Sequence, residues 1–354
     1  MNRRIALGIV AAGVLVLAGA TWFSRLLLPL KTNVLLITLD TTRSDRLGCY
    51  GYSKAETPAI DSLASQGLRF TRAFTPAPLT LPAHASIMTG RLPPEHGIRD
   101  NGRGRLPSDL KTLAETFRDR GYRTAAFPAS FVLDRQFGLA RGFDVYDDRM
   151  PNNIENVFNR ERPADAVADR ALAWLGINAD KPFFCWIHFY DPHEPYSPPE
   201  PSRKRHPDPY DGEIAFVDSQ MQRLLDFLEG HGLNQKTLVV VVGDHGEALG
   251  QHGEDGHGLF IYEETMHVPL IIRGPGRCRT GVSDRLSGLT DIAPTILDIL
   301  RWPRPAGFQG TSLLASSEPA PGCYGESLFS HHAYRWAPLY SLPPPRWKFI
   351  EAPQ

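Results

Sequence analysis

The sequence has no surplus of charge of either sign. Against 38 lysines and arginines stand 39 aspartates and glutamates, a formal net charge of -1, which provides no bulk attraction to nucleic acid or acidic lipid. No nucleic-acid partner is therefore expected. Cysteine is scarce: Cys49, Cys185, Cys278 and Cys323 lie far apart and never in CxxC spacing, so neither a zinc ribbon nor a dense disulfide framework is encoded. Internal repeats and low-complexity linkers are also missing. The chain instead has 354 residues, 42% hydrophobic and 22% charged, with 31 glycines and 31 prolines set beside apolar runs. That is the composition of a loop-rich globular enzyme of one large domain or two modest ones.

Residues 1–30 form a separate object. From Ile5 to Ser24 no charged residue occurs, with Arg3 and Arg4 before the run and Arg25 after it. As a helix this run spans about 30 Å, the hydrocarbon thickness of a bilayer. Ala18-Gly19-Ala20 offers a small-x-small cleavage site, so the segment reads as a retained anchor or a removed signal peptide. Either way the rest of the chain is expected outside the inner membrane, on the periplasmic side.

The body alternates two periods. Asn33 to Leu39 (NVLLITL) is a continuous apolar run ending at Asp40, the pattern of a strand covered on both faces. Tyr122 to Phe127, Pro182 to Tyr190, Thr237 to Val242 and Val268 to Ile272 read alike. Helical patterns lie between them at Thr57 to Gln66, Ser108 to Arg120 with Ser108 as cap and Gly121 as stop, Pro163 to Ile177, Asp211 to Glu229 and Asp291 to Leu300. Strand followed by helix, repeated, predicts a doubly wound α/β fold.

Two strand ends carry polar clusters that a fold alone does not need. One begins at Asp40; the other is Gly243-Asp244-His245-Gly246-Glu247, directly after four valines. Carboxylate and imidazole at such ends face the crevice where open α/β sheets bind ligands, and they suit a divalent metal. A third element, Thr80-Leu81-Pro82-Ala83-His84, places Pro82 as the first residue of a helix and Thr80 just before its N-terminus, where an anion is stabilised. The plainer readings are that Thr80 and Asp40 are helix caps and that Asp244 and His245 are turn residues.

Taken together, NVLLITLDTTRSDRLGCYG (33–51), TLPAHASIMTGR (80–91), DPHEPY (191–196), VGDHGEALGQHG (242–253) and residues 262–272 resemble the sulfatase family of the alkaline phosphatase superfamily. The resemblance runs over roughly 33–314, with the motifs in the family's order. It implies a mainly parallel sheet flanked by helices, a divalent metal (Ca, Mn, Zn or Mg) at the sheet's C-terminal edge and a nucleophile that is transiently esterified. It divides the chain into the N-terminal segment 1–30, a catalytic domain 31–314 and, at 315–354, a small antiparallel subdomain. Only the opening strands of that subdomain are matched, so it is either minimal or cut short.

The departures from the pattern redirect the chemistry. Formylglycine sulfatases carry C-x-P-S-R or S-x-P-S-R, and threonine at position 80 cannot give that aldehyde. The motif arginine is His84, the paired aspartates read Asp40-Thr41, and the family's Gly-Lys-Trp-His segment reads Pro128-Ala129-Ser130-Phe131. Phosphoethanolamine and phosphoglycerol transferases of the superfamily share the threonine. By that likeness Asp40, Thr80, Asp244 and His245 hold one metal, while His193 and His257 bind the substrate's oxyanion, a second metal or the leaving group. Thr80, His84, His193 and His257 are the candidate catalytic side chains; His96, His206, His231, His331 and His332 read as solvated. A threonine ester must be cleared by direct displacement, which is familiar for phosphoryl groups, so phosphoryl transfer is favoured over sulfuryl transfer. The expected substrate is a small-molecule, glycan or lipid-head-group ester. The rival reading is a catalytically silent binding or scaffold protein that kept the fold.

Overall fold

The computed structural model describes residues 32–150, 161–315, 323–342 and 348–353. The apolar segment 5–24 lies outside them, and among the described residues no helix is long and apolar enough to cross a membrane. In chain order the elements are β1 (Asn33–Leu39), α1 (Pro58–Gln66), β2 (Leu68–Phe74), α2 (Thr80–Thr89), α3 (Leu113–Arg118), β3 (Arg123–Phe127), β4 (Val145–Tyr146), α4 (Ala164–Asn178), β5 (Phe183–Phe189) and α5 (Pro209–Gly230). There follow β6 (Thr237–Gly243), β7 (Ala248–Leu249), β8 (Asp255–Gly256), β9 (His267–Arg273), β10 (Gly281–Ser283), β11 (Ser287–Gly288), α6 (Ile292–Ile299), β12 (Gly325–Ser327), α7 (Phe329–Tyr334), β13 (Leu339–Leu342) and β14 (Phe349–Glu351).

The main sheet runs β10-β2-β9-β6-β1-β5-β3-β4, with β11 also paired to β2. Its pairings are parallel except those of β9, which runs against both β6 and β2. This is the expected α/β architecture, a mainly parallel sheet flanked by helices. The central strands β1, β5 and β6 are buried along their whole length, which is why they read as unbroken apolar runs. Because side chains alternate, Val34, Leu36, Phe184, Trp186, Val240 and Val242 face one core with α2, α3 and α6. Leu35, Ile37, Cys185, Ile187, Val239 and Val241 face a second core with α1, α4 and α5. Each fully buried large aliphatic side chain contributes roughly 1.5–3 kcal/mol, so neither helical layer is dispensable.

Three local expectations are corrected. Strand β2 (LRFTRAF) was absent from the sequence-based strands: its two arginines and the register shift between Phe70 and Ala73 break the alternation that would reveal it. Helix α3 begins later than Ser108. Thr112 and Glu115 form a reciprocal capping box, satisfying two backbone N–H groups at once, while Arg141 holds the carbonyls of Pro107, Ser108 and Leu110 in the preceding loop. Thr80 is the first residue of α2 rather than the residue before it, and Leu79 is the cap position.

The small sheet of β12, β13 and β14 is antiparallel. It is joined to the body through Glu326, whose backbone N–H donates to the Pro76 carbonyl and whose buried carboxylate receives Arg99.

Candidate active site

Strand register assembles the site. Leu39 of β1 pairs with Gly243 of β6, so Asp40 and Asp244 emerge side by side one residue later. Thr38 pairs with His188 of β5. Thr38 and His188 continue the face that carries α2, and Thr80 and His84, four residues apart on that helix, come down on the same spot. Thr38, Asp40, His84, His188, Asp244 and His245 have no exposed surface, and Thr80 has almost none. After Asp244-His245 the chain passes so close to the next segment that a Cβ on Gly246 would lie 2.0 Å from the Glu264 carbonyl oxygen, so only glycine fits.

Hydrogen bonds fix the protonation pattern. His245 Nδ1 lies 3.0 Å from its neighbour's carbonyl, that of Gly246, and must donate there, which leaves Nε2 with a bare lone pair. That lone pair faces Asp40 Oδ1 at 3.5 Å, Asp244 Oδ2 at 3.7 Å and the Thr80 hydroxyl at 3.2 Å. Both Asp40 oxygens and Asp244 Oδ2 are buried without a hydrogen-bond partner. Acceptors converging on acceptors in a dry site are costly unless a cation lies between them. One ligand atom from each of Asp40, Asp244 and His245 falls within 4.8 Å of the others, so the donor set fits a divalent metal. Burial pushes the Asp40 carboxyl above its ordinary range, and burial together with Asp40 pushes Asp244 further; a bound cation reverses both.

The Thr80 hydroxyl is not spent on capping, because another residue caps its helix. The Leu81 N–H, an orphan donor of the first turn, donates to Asn101 Oδ1 at 2.9 Å, and the Thr80 hydroxyl makes no capping bond. The plain capping role for Thr80 is thereby removed. His84 donates through Nδ1 to the Thr80 carbonyl at 2.7 Å and meets the Thr38 hydroxyl through Nε2 at 2.9 Å. Burial, with His188 beside it, lowers its pKa to about 3, so it is a neutral brace between α2 and β1.

Two further histidines stand at the mouth. His257 Nδ1 lies 2.8 Å from Glu247 Oε1, and its ring stands 4.4 Å from that of His245 and 5.1 Å from that of His193. Burial alone would lower the His257 pKa, but Glu247, together with Asp40 and Glu254, more than offsets it and the net shift is upward. His193 stacks on Tyr190 and is lowered by burial and by His257. Thr80, His193 and His257 line one cavity of about 600 Å³, whose far wall includes Asp100, Arg103 and His332.

All the sequence-predicted site residues therefore lie together: Asp40, Thr80, Asp244 and His245 at the floor, His84 behind them, His193 and His257 at the rim. His188, Asn101 and His332 were missed, and Glu247 was noted only as a member of the 243–247 cluster. His188 is concealed within an apolar run, although its period-two position matches Trp186 and Phe184 and signals the α2 face. His332, expected to be solvated, bonds Asp100 at 2.6 Å on the cavity wall. His96 is buried rather than solvated, donating to Ser86 and accepting from the Ile98 N–H. His206 is partly covered and pairs with Glu56, while His231 and His331 are exposed as expected.

The fold and this donor set are those of sulfatase-type hydrolases. The chain belongs to the sulfatase family, whose model matches residues 32–301. It is 25% identical over 362 residues to an uncharacterized sulfatase of Escherichia coli, covering 82% of this chain and 72% of that one. To human arylsulfatase A it is 27% identical over 361 residues, covering 85% and 71%. Two solved structures superpose with TM-scores of 0.76 at 22% identity. One is a protein in complex with its substrate D-glucosamine-2-N,6-O-disulfate, covering 91% of this chain and 88% of that one. The other is the phosphonate monoester hydrolase of Agrobacterium radiobacter, covering 91% and 87%.

Proposed function

We propose that this sulfatase-family hydrolase cleaves a phosphate or sulfate monoester through a covalent Thr80 ester, with phosphate the better substrate. The observation that carries this reading is the Thr80 hydroxyl at the start of α2, not spent on capping and 3.2 Å from an imidazole lone pair that also faces partnerless oxygens of Asp40 and Asp244. Asp40, Asp244 and His245, with Thr80, would hold a divalent cation. When bound, the cation lowers the hydroxyl's pKa and neutralises charge on the ester oxygens.

The side chains divide the remaining work. Thr80, its proton released to solvent before attack, acts as the alkoxide: Oγ1 forms a bond to the central phosphorus as the bond to the alcohol oxygen breaks, and it leaves as the alkoxide again when water displaces it. His257, whose pKa Glu247 raises, gives its proton to that departing oxygen. Water then displaces Thr80 from phosphorus, and the now neutral His257 takes the water's proton, releasing phosphate and restoring both groups. His193, held by Tyr190, faces the ester from the rim and orients it. Direct displacement of this kind suits phosphorus, and threonine closes the aldehyde route by which formylglycine enzymes release sulfate.

The substrate in this reading is a small-molecule, glycan or lipid-head-group ester, because the cavity admits more than a bare anion and its wall carries Asp100, Arg103 and His332 as well as apolar groups. The apolar segment 5–24 supports export and tethering at the inner membrane, with the catalytic body on the periplasmic side. Incubation with a slowly hydrolysed aryl phosphate, then peptide mass analysis, should find phosphorylated Thr80. Thr80→Ser should retain part of the turnover, and Thr80→Ala should lose at least about 10³-fold while keeping its bound metal. Undiminished turnover by Thr80→Ala would refute the nucleophile assignment.

A further inference from the structure

We infer that the far wall of the cavity is a subsite for a second anionic group, so that the substrate is a doubly anionic ester, a phosphate monoester whose alcohol carries a further phosphate or carboxylate. The inference rests on Thr80 marking the reacting end and names what lies at the other end of the substrate.

Asp100 organises that wall. Its side chain is almost buried, and Oδ1 accepts the Asn101 N–H at 2.9 Å. Oδ2 receives two donors at once, His332 Nδ1 at 2.6 Å and Arg103 Nε at 3.2 Å. The carboxylate is thus spent within the protein. The guanidinium and the imidazole, both drawn against one oxygen, stand side by side on the lining of the cavity.

What this wall keeps for a ligand is rich in donors. Arg103 gives Asp100 only Nε, which leaves the Nη pair of a 63% exposed side chain to the cavity. Asn101 accepts the Leu81 N–H through Oδ1, so the part of its amide that remains is the NH2 group, a donor. Recognition of sugar hydroxyls calls for acceptors beside donors, yet Asp100 is the one carboxylate among the described residues that line the cavity, and it is already taken. A guanidinium fork steadied from behind by a carboxylate fits an acceptor-only group, a carboxylate or a phosphate, through paired N–H bonds. Arg103 is also the one lysine or arginine in that lining, so the charge for a second anion rests on a single side chain. Asn101 ties the subsite to the nucleophile, bonding Asp100 through its N–H and the neighbour of Thr80 through its side chain. Both ends of the substrate therefore share one cavity of about 600 Å³, in which Leu79, Val132 and Phe329 offer apolar surface to the carbon skeleton between them.

The test is a homologous series of esters. The full chain, equilibrated with manganese, is assayed on α,ω-alkanediol bisphosphates of increasing length, on ω-phosphonooxy carboxylates and on n-alkyl monophosphates of matching length. At the length that fits, KM for the doubly anionic ester should lie at least about tenfold below that for the alkyl phosphate. Arg103→Gln should erase this preference, with the loss falling on KM rather than kcat, and Arg103→Lys should restore part of it by supplying a point charge without the fork. A preference confined to the bisphosphates or to the carboxylates supports the subsite and identifies its group. Equal KM values across the series, or a preference that survives Arg103→Gln, overturn the inference and leave Asp100, Arg103 and His332 as a structural latch. Should the parent hydrolyse none of these esters, the Thr80 reading fails instead. Calorimetric affinities of the same compounds for the parent and for Arg103→Gln, both in manganese, then decide the subsite by the same ratio.

Discussion

The floor and the rim of the site use the same residue types under opposite conditions. At the floor, Asp40, His84, His188, Asp244 and His245 are sealed from water, the imidazoles are neutral, and both Asp40 oxygens and Asp244 Oδ2 lack partners. At the rim, His257 meets a carboxylate directly and its pKa is raised, and its neighbours border an open cavity. In the proposed reading the same Asp, Glu and His chemistry therefore serves as a cation cage where no proton or water is supplied and as an acid–base device where a counter-charge is. Desolvation decides the first and pairing the second.

The largest effect should come from the floor. Asp40→Asn should abolish metal uptake and reduce turnover at least 10³-fold, yet raise the stability of the metal-free protein, because a buried, partnerless charge is removed. Metal analysis with urea unfolding in the presence of a chelator checks both signs, and a destabilised metal-free variant would break the comparison.

At the rim, Glu247→Gln should lower kcat about 10–10²-fold at alkaline pH and leave metal content unchanged. With Glu247 present the His257 acid form persists above its ordinary pKa, and activity falls as pH rises through the raised value. Without it burial dominates, and the alkaline limb should begin at lower pH. An unmoved limb in the pH–rate profile would remove His257 as the acid.

The smallest effect separates burial from catalysis altogether. His96 lies outside the site, and burial lowers its pKa to about 3. A depressed folded-state value means stability that is intact above the unfolded value of about 6.5 and lost as pH falls, by about 1.4 kcal/mol per unit. His96→Gln, whose amide can keep both hydrogen bonds, should flatten this acid loss by about 2 kcal/mol between pH 6.5 and 5 in urea midpoints. An equal slope in the two proteins would mean that His96 does not titrate on unfolding.

What could be read from the sequence follows from which forces leave a local trace. β1 and β6 were readable because burial on both faces demands unbroken apolar runs, and the polar residue ending each run marked Asp40 and Asp244. The residues of α2 drew attention through Pro82, although the helix begins two residues earlier, because its cap acceptor comes from Asn101 in a separate loop. His188 left no local trace, being one polar residue in a strand of aromatics whose meaning depends on the register with Thr38. Glu247 gains its role only when the chain folds back to bring His257 against it.

The small sheet at the far end of the chain has a consequence for how such enzymes diversify. Glu326 is clasped by Arg99, Ser327 bonds the Gly258 carbonyl, and His332 bonds Asp100. One late segment thus grips the two loops that border the cavity without touching Asp40, Asp244 or His245. Reshaping that segment would re-aim both loops and leave the bond-breaking groups where they are. In engineering terms selectivity is a replaceable part, and grafting residues 323–342 between relatives is the swap to try first when a new ester is wanted.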